Sequence, residues 1–511
     1  MDNTSYIQVK IDLGQKHQVI DNFSASSGWS IDPICGAWTE CNKNRIADLL
    51  YSEDKGIGLS CFRFYIGAGS NISDLDIIPD ENFWTRTDVF LSGENSDYDW
   101  DAQAGQRWLM QAAKARGIGQ FVAFTHSAPF WMNKNGHTQC DQSVGSTNLK
   151  MEYEESFAQF LADVLIHFRD AEGIDFNYIS PVNEPQWSWE GSRIHEEGNR
   201  SSNEDIIRLI RKLYLQLEKK GVRTGILAPE SGDLPAMLDD AYYQKYTGRA
   251  DIYTAQNNAA NYGGKYREYL RDFVGDPGVR QMLGNIASAH SYWTDKFEDG
   301  GIRVRRLLRE NMDQYPDLKY WQTEYCLLGE GLGPVRDYGI SPALWMARVI
   351  HYDLTLLNSS AWHWWLSISP LPFKDGLLYT DWKKPGDEES VITSKMLWAM
   401  GHYSKFVRPG SRRVELAGTD EVQLMGSAFI SEDGGKVIAV FVNYGDRDKT
   451  IRLEILNMSK GKRISGLIPY ITSDDEGNDL KQMAPLDPDK DLCHIPARSL
   501  VTLVALLEDD T

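Results

Sequence analysis

The chain has 511 residues, 42% hydrophobic and 25% charged, enough for one to three domains whose cores need no disulfide staples. A net charge of −20 and a pI near 5.0 repel polyphosphate and anionic lipid, which argues against nucleic acid or an acidic membrane surface as partner and favours a neutral substrate. The opening "MDNTSYIQVK" has no basic stretch ahead of an apolar one, so it does not read as a signal peptide, and no apolar run approaches the about 20 residues of a bilayer span; the expected location is nonetheless secreted, periplasmic or cell-surface, with the signal absent from this chain.

An isolated strand, "YIQVKIDL" (6–13), comes first. A pattern of short apolar run and amphipathic helix then repeats eight times. The runs are "VIDNFSASSG", "LSCFRFYIG", "QFVAFTHSAP", "NYISPVNEP", "RTGILAPESG", "IASAHSYWT", "KYWQTEYCLL" and "SAWHWWLSIS". The helical stretches between them include "QRWLMQAAKARG", "YEESFAQFLADVLIHFRDAEG", "NEDIIRLIRKLYLQLEKKG", "YREYLRDFVG" and "IRVRRLLRENMDQYP", with apolar residues such as Phe157, Phe160, Leu161 and Val164 at three- and four-residue spacing. Runs of strand closed by Gly or Pro and alternating with helices predict a parallel sheet, and eight such units predict an α/β fold, a (β/α)₈ TIM barrel, over residues 16–408. An open doubly wound sheet is the alternative; its nucleotide-binding forms lose support because neither GxGxxG nor GxxxxGK[ST] follows the first strand. After "FVRPGSRR" the strands "VQLMGSAFIS", "KVIAVFVNYG", "TIRLEIL", "RISGLIPYIT" and "SLVTLVALL", parted by turn clusters, predict an antiparallel β-sandwich over 409–511. Residues 1–15 lack a barrel partner and are expected to pair into that sandwich.

The six cysteines, at 35, 41, 61, 140, 326 and 493, form no CxxC pair, so free or buried thiols are the favoured reading, with a bridge inside the group Cys35, Cys41 and Cys61 left open. Sixteen tryptophans are many for this length, and about half stand in loop-like stretches where they offer flat faces to a sugar ring or a peptide.

Barrels of this kind build their sites at the C-terminal ends of the strands. Those ends supply Arg63, His126, Asn183 with Glu184, His290 with Tyr292 and Trp293, Glu324 with Tyr325, and Trp362 to Trp365; Trp29 and Trp131 stand in loops nearby. Glu184 and Glu324 close the fourth and seventh strands and so face each other across the mouth. Taken singly, each is more simply a surface or salt-bridged glutamate. Set beside tryptophans at apolar strand ends, a carboxylate is costly without a task, and glycoside hydrolysis asks for an opposed pair: one acid protonates the leaving oxygen, the other attacks the anomeric carbon or activates water. Asn183 is suited to a sugar hydroxyl, Tyr292 to an oxygen of the nucleophile, and Arg63 to keeping that carboxylate charged. Core or ion-pair roles are the plain alternatives for these three. No HExxH spacing occurs, so a metal site is the weaker reading of His126 and His290, and no cofactor is expected. Trp187 and Trp189 offer further sugar platforms, and the loop "EGSRIHEEGNRSSNED" could close one end of the cleft.

The segments "FSASSGWS", "FRFYIGAGS", "FVAFTHSAPFWMNKNGH", "ISPVNEPQWSWEGSRIHEEG", "YWQTEYC" and "IPARSLVTLVAL", in this order, resemble family 30 of the glycoside hydrolases, in the retaining clan A. The resemblance implies a barrel with a side β-sandwich that recruits the N-terminal strand, Glu184 as acid/base and Glu324 as nucleophile. It also implies an oligo- or polysaccharide partner contacted by Trp29, Arg63, His126, Trp131, Asn183, Trp187, Glu197, His290, Tyr292, Trp293, Trp362 and Trp364. Within the family, "SAPFWM" and "NEP…W…EEG" are most similar to the endo-β-1,6-galactanase branch, from which Ala128 in place of a proline and Glu196 in place of a glutamine depart. The expected activity is therefore hydrolysis of β-1,6-galactan. A β-1,6-glucanase, a xylanase, an exo-acting β-glycosidase, a non-catalytic carbohydrate binder and a metal-dependent hydrolase are the competing readings.

Overall fold

The computed structural model describes residues 6–189, 195–248, 263–296, 300–329, 332–488 and 492–510. Strands β2 (Asn22–Ser26), β3 (Cys61–Tyr65), β4 (Gln120–Phe124) and β5 (Tyr178–Ser180) pair in parallel, each with the next in sequence. β6 (Gly225–Ile226) and β7 (Pro229–Ser231) are two halves of one strand: β6 pairs with β5, and β7 with β8 (Ile286–Ala289). β8 then pairs with β9 (Lys319–Gln322), β9 with β10 (Ser359–Ser369), and β10 returns to β2. The sheet thus closes into the eight-stranded parallel barrel that the alternating pattern predicts.

The helices outside it follow from their sequences. In Asn203–Lys220, Ile206, Leu209, Ile210, Leu213 and Leu217 form one buried stripe. Ser202 and Asp205 close its first turn as a reciprocal capping box, and Gly221, at φ 65°, ends it. Losing the Ser202 hydroxyl would cost about 1 kcal/mol. The helix expected over 266–275 is realised only as a wide turn, Leu270–Val274, because Glu268 just ahead of it sits at φ 57°, outside the right-handed helical region.

The second body is a nine-stranded sheet. β1 (Ile7–Val19) runs antiparallel to the strand Arg412–Ala417 and parallel to the strand Lys449–Leu456, so the N-terminal strand is built into it. The strand Lys436–Asn443 shows how the two bodies join. Val437, Ala439 and Phe441 enter the sandwich core, while Ile438, Val440 and Val442, on the opposite face, enter the barrel's core. Burying each such aliphatic side chain stabilises by about 1.5–3 kcal/mol. His402, on the barrel helix Lys395–Ser404, bridges Thr502 (2.8 Å) and Thr472 (2.9 Å) of the sandwich. All six cysteines are free thiols, and all but Cys41 are buried. No helix among the described residues is long and apolar enough to cross a membrane.

Candidate active site

The strands' C-terminal ends open into a cavity of about 900 Å³. β5 is short, and four residues beyond it Glu184 adopts φ 42°, a left-handed conformation that a non-glycine residue keeps only where its surroundings enforce it. Its N–H donates to the Glu230 carbonyl (2.8 Å), and its own carbonyl accepts from Trp187 N–H (3.1 Å) and Trp189 Nε1 (3.2 Å). Gly232 leaves room for this turn: a Cβ there would stand 3.0 Å from Glu184 Oε1 and would strike the Trp187 indole.

Glu324 follows β9. Arg63 Nη1 donates to its Oε2 at 2.6 Å, and Tyr292 Oη donates to its Oε1 at 3.2 Å. Arg63, fully buried, lies over the Phe124 ring at 3.7 Å, so its direction is fixed from below. His290 Nδ1 is 2.8 Å from Glu184 Oε1 and 3.8 Å from Glu324 Oε1. Oxygens of Glu184 and Glu324 and a nitrogen of His290 all lie within 4.8 Å of one another.

Charge is unevenly shared here. Burial pushes Glu184 up, against the hydrogen bond and charge of His290 that favour its ionised form. Burial would also depress His290, but the Glu324 charge and the bonds to Glu184 and Glu230 hold it up to about 9. Three more acids line the cavity. Burial raises Glu196 well above its ordinary range, Asp233 to about 8 and Asp375 to about 6. Uncharged carboxyls donate as well as accept hydrogen bonds.

Trp29, His126, Asn183, Trp187, Tyr292 and Trp293 line the cavity with the two glutamates. Arg63 and His290 lie beneath, touching the glutamates rather than the open space. Trp131, Glu197, Trp362 and Trp364 do not line the cavity. β10 is buried on both faces; Trp362 and Trp364 lie on its outer side, their indole N–H groups donating to Asp353 (2.9 Å) and to the Asp375 carbonyl (2.7 Å). Trp365, one residue on, faces the cavity. Trp131 stands away from the lining, its N–H donating to the Leu91 carbonyl. Glu197 also lies behind the wall, its carboxylate taking Tyr65 Oη (2.6 Å), the N–H groups of Ala68 and Ser70 (each 3.0 Å) and Thr87 Oγ1 (2.6 Å). It staples the loop after β5 to the loop after β3. Residues 190–194 of the expected cleft-closing loop lie outside the described residues. Trp365, one of the strand-end tryptophans that the sequence points to, lines the cavity, as do Asp233, Asp375 and Phe373, which no motif in the sequence marks.

Among the described residues the lining holds no lysine or arginine. Two carboxyls this close, under a trough walled by indoles, suit attack at an acetal carbon far better than at a phosphate. The fold and the site together define a glycoside hydrolase. The comparisons agree: the chain belongs to O-glycosyl hydrolase family 30, whose sequence model matches residues 6–379. It is 23% identical over 324 residues to the endo-beta-1,6-galactanase of Hypocrea rufa, covering 59% of this chain and 65%, just under two thirds, of that relative. It is 22% identical to a glucuronoxylanase of Bacillus subtilis, covering 78% of this chain and 77% of that one. Among solved structures, a conserved exported protein from Bacteroides fragilis superposes with a TM-score of 0.82 at 29% identity, covering 97% of this chain and 100% of that one.

Proposed function

We infer that the protein is a retaining β-glycanase acting on β-1,6-linked galactan. Glu184 gives its proton to the glycosidic oxygen as the Glu324 carboxylate attacks the anomeric carbon; a water activated by Glu184 then hydrolyses the glycosyl ester. One observation carries the mechanism: carboxyl oxygens of Glu184 and Glu324 within 4.8 Å. Oxygens this close accord with the about 5–5.5 Å of retaining enzymes rather than with the about 6.5–9.5 Å at which inverting enzymes hold a water between their acids. The environments suit the roles. Burial pushes the Glu184 carboxyl above its ordinary range, while Arg63 and Tyr292 offer donors to both oxygens of Glu324.

Sugar recognition has its own support. Asn183 Nδ2 and Oδ1, His126 Nε2 and Trp29 Nε1 are buried with no hydrogen-bond partner in the protein, and a sugar's hydroxyls satisfy such groups. Trp187, Trp293 and Trp365 supply ring faces. The galactan assignment rests on the resemblance of the "SAPFWM" and "NEP…EEG" segments and on the Hypocrea rufa relative. The exported Bacteroides fragilis neighbour favours a site of action outside the cytoplasm.

Incubation with β-1,6-galactan, arabinogalactan, β-1,6-glucan and xylan, with products sized and the first anomer followed by proton NMR, tests both parts. The expected result is β-1,6-galactan cut to a ladder of oligosaccharides whose new ends begin as the β anomer. An α anomer appearing first would overturn the mechanism; preference for xylan or β-1,6-glucan would overturn the substrate; monomer or dimer alone would mean exo attack.

A further inference from the structure

Glu230 does not line the cavity and takes no part in the bond breaking described above, yet it is tied to it twice. Its carbonyl holds the Glu184 N–H at 2.8 Å, and its side chain holds His290, Oε2 lying 3.3 Å from Nε2. Glu230 is fully buried and sits at φ 55°, so its placement is enforced by its surroundings. Ser180 Oγ donates to its Oε1 at 2.5 Å, and Thr323 Oγ1 donates to its Oε2. Three donors converge on two oxygens, an arrangement built for an anion; an amide would turn an NH₂ group against one of the hydroxyls. Since a carboxylate only accepts, His290 Nε2 must carry a proton. The opposite nitrogen, Nδ1, then lies between Glu184 Oε1 (2.8 Å) and Glu324 Oε1 (3.8 Å).

We propose that Glu230 is a positioning residue for hydrolysis: it fixes His290 as an imidazolium whose Nδ1–H is aimed at Glu184, and so sets how readily Glu184 gives up and regains its proton. This deepens the assignment of Glu184 as acid/base and rests on it. Of the other groups facing His290, Glu324, 3.8 Å from Nδ1, adds its charge on the same side as Glu184, whereas Glu230 holds Nε2. Tyr292 meets it edge-on at 5.9 Å between ring centres. His126 and His363, which burial lowers to about 4 and about 3, are neutral near pH 7, and Arg63 is a second cation that disfavours a charged ring. The directions agree with the geometry. Burial would raise Glu230, but the bond and charge of His290, with the Arg63 charge and the Ser180 hydroxyl, bring it to about 2, and His290 is held up to about 9.

A cation against Glu184 stabilises its carboxylate. Without it, burial acts on Glu184 less opposed, and Glu184 holds its proton to higher pH. Replacing Glu230 by Gln is therefore expected to lower the proton affinity of His290 and, through it, to move the alkaline limb of kcat/KM upward.

The test is proton–nitrogen NMR of the full chain labelled with ¹⁵N-histidine, wild type and Glu230→Gln, with the His290 signals assigned by their loss in His290→Asn. In the wild type both His290 nitrogens should be protonated at neutral pH, with a midpoint near 9. In Glu230→Gln the midpoint should fall by about 1–3 pH units. A neutral His290 in the wild type at neutral pH would overturn the proposal whether or not the variant folds, and an unmoved midpoint in the folded variant would overturn it as well. The NMR needs no substrate, so a wrong sugar assignment leaves its result intact. The pH profile of kcat/KM, taken on whichever polysaccharide of the panel the wild type cleaves, reads the link to Glu184: a shifted His290 midpoint with an unmoved alkaline limb would sink it.

Discussion

The two ends of the barrel's strands are made of opposite materials. Toward their N-terminal ends, Cys61, Val122, Leu227, Ile286, Trp321 and Ala361 close the interior as an apolar plug, with Tyr178 packed against it. A few residues further along the same strands, the interior holds Arg63, Glu230, His290, Glu184 and Glu324, linked by ion pairs of 2.6–3.8 Å. The plug is held by area and shape, which tolerate small volume changes. The charged end is held by donors and acceptors that must all be present, because an unpaired buried charge costs several kcal/mol. Left-handed backbone occurs at both ends, at Asn285 and Asn358 just ahead of β8 and β10 and at larger residues near the site. Glu184, Trp189, Glu230 and Trp293 all have φ above 40° and all lie at the charged end.

Removing either carboxyl should break this division most visibly. Glu324→Gln keeps the shape but loses the proposed nucleophile, so turnover on the preferred polysaccharide should fall below detection. Arg63 would also lose its charged partner, and a buried pair broken in this way costs about 3–5 kcal/mol, seen as a lower Tm. Glu184→Gln should lower kcat/KM by about 10²–10⁴-fold, with a smaller change in Tm. Near-normal hydrolysis by either variant would mean that the roles lie elsewhere.

Asp233 gives a stability test at the same end. It lines the cavity, and burial raises it from 3.8 to about 8, with the Ala236 N–H opposing and the Glu184 charge adding to the rise. The fold therefore binds this proton more tightly than the unfolded chain does. The stability this contributes is fully present below pH 3.8 and is lost as pH rises through about 8. Calorimetry should show the Tm of the wild type falling relative to Asp233→Asn across that interval, with the variant the more stable above it. A constant difference would show that Asp233 is charged in the fold.

Trp293 belongs to the rim. It is 48% exposed, so its indole holds little of the fold together. As a sugar platform its loss in Trp293→Ala should cost about 0.5–1.5 kcal/mol of binding, a rise in KM of about 2- to 10-fold with kcat changed far less. An unchanged KM on long and short substrates alike would remove it from the binding surface.

The comparison also shows why the sequence was legible in some places and opaque in others. Eight apolar runs between amphipathic helices allow few closed arrangements, so the barrel could be read before any coordinate. Glu184 and Glu324 stood out because each ends such a run among aromatics. The tryptophans of β10 were harder. Every residue from Ser359 to Ser369 is buried, so no polar alternation marks which of Trp362, Trp364 and Trp365 faces inward. Glu230 was passed over because "APESG" reads as a strand end running into a turn. Its partners, Ser180 and Thr323, are 50 and 93 residues away and meet it only when the ring closes. The wide turn at Leu270–Val274 had a helical pattern, and the left-handed Glu268 ahead of it has no signature in residue type.

The smallest expected effect lies in the plug and is the sharpest check on the division. Ile286, 3% exposed, opens β8 four residues before His290, which on an extended strand is about 13 Å. Ile286→Val removes one methylene and should cost about 0.5–1.5 kcal/mol, because the neighbouring side chains relax only in part. The orientation of His290 is fixed by hydrogen bonds to Glu184 and Glu230 and by its N–H to the Ser231 carbonyl (2.7 Å), none of which depends on that methylene. Tm should therefore fall by a few degrees while kcat/KM and its pH profile stay at the wild-type values. A variant that lost activity in proportion to stability would show that the apolar packing beneath the site sets the position of the carboxyls, and the two ends of the strands would then have to be treated as one mechanical unit.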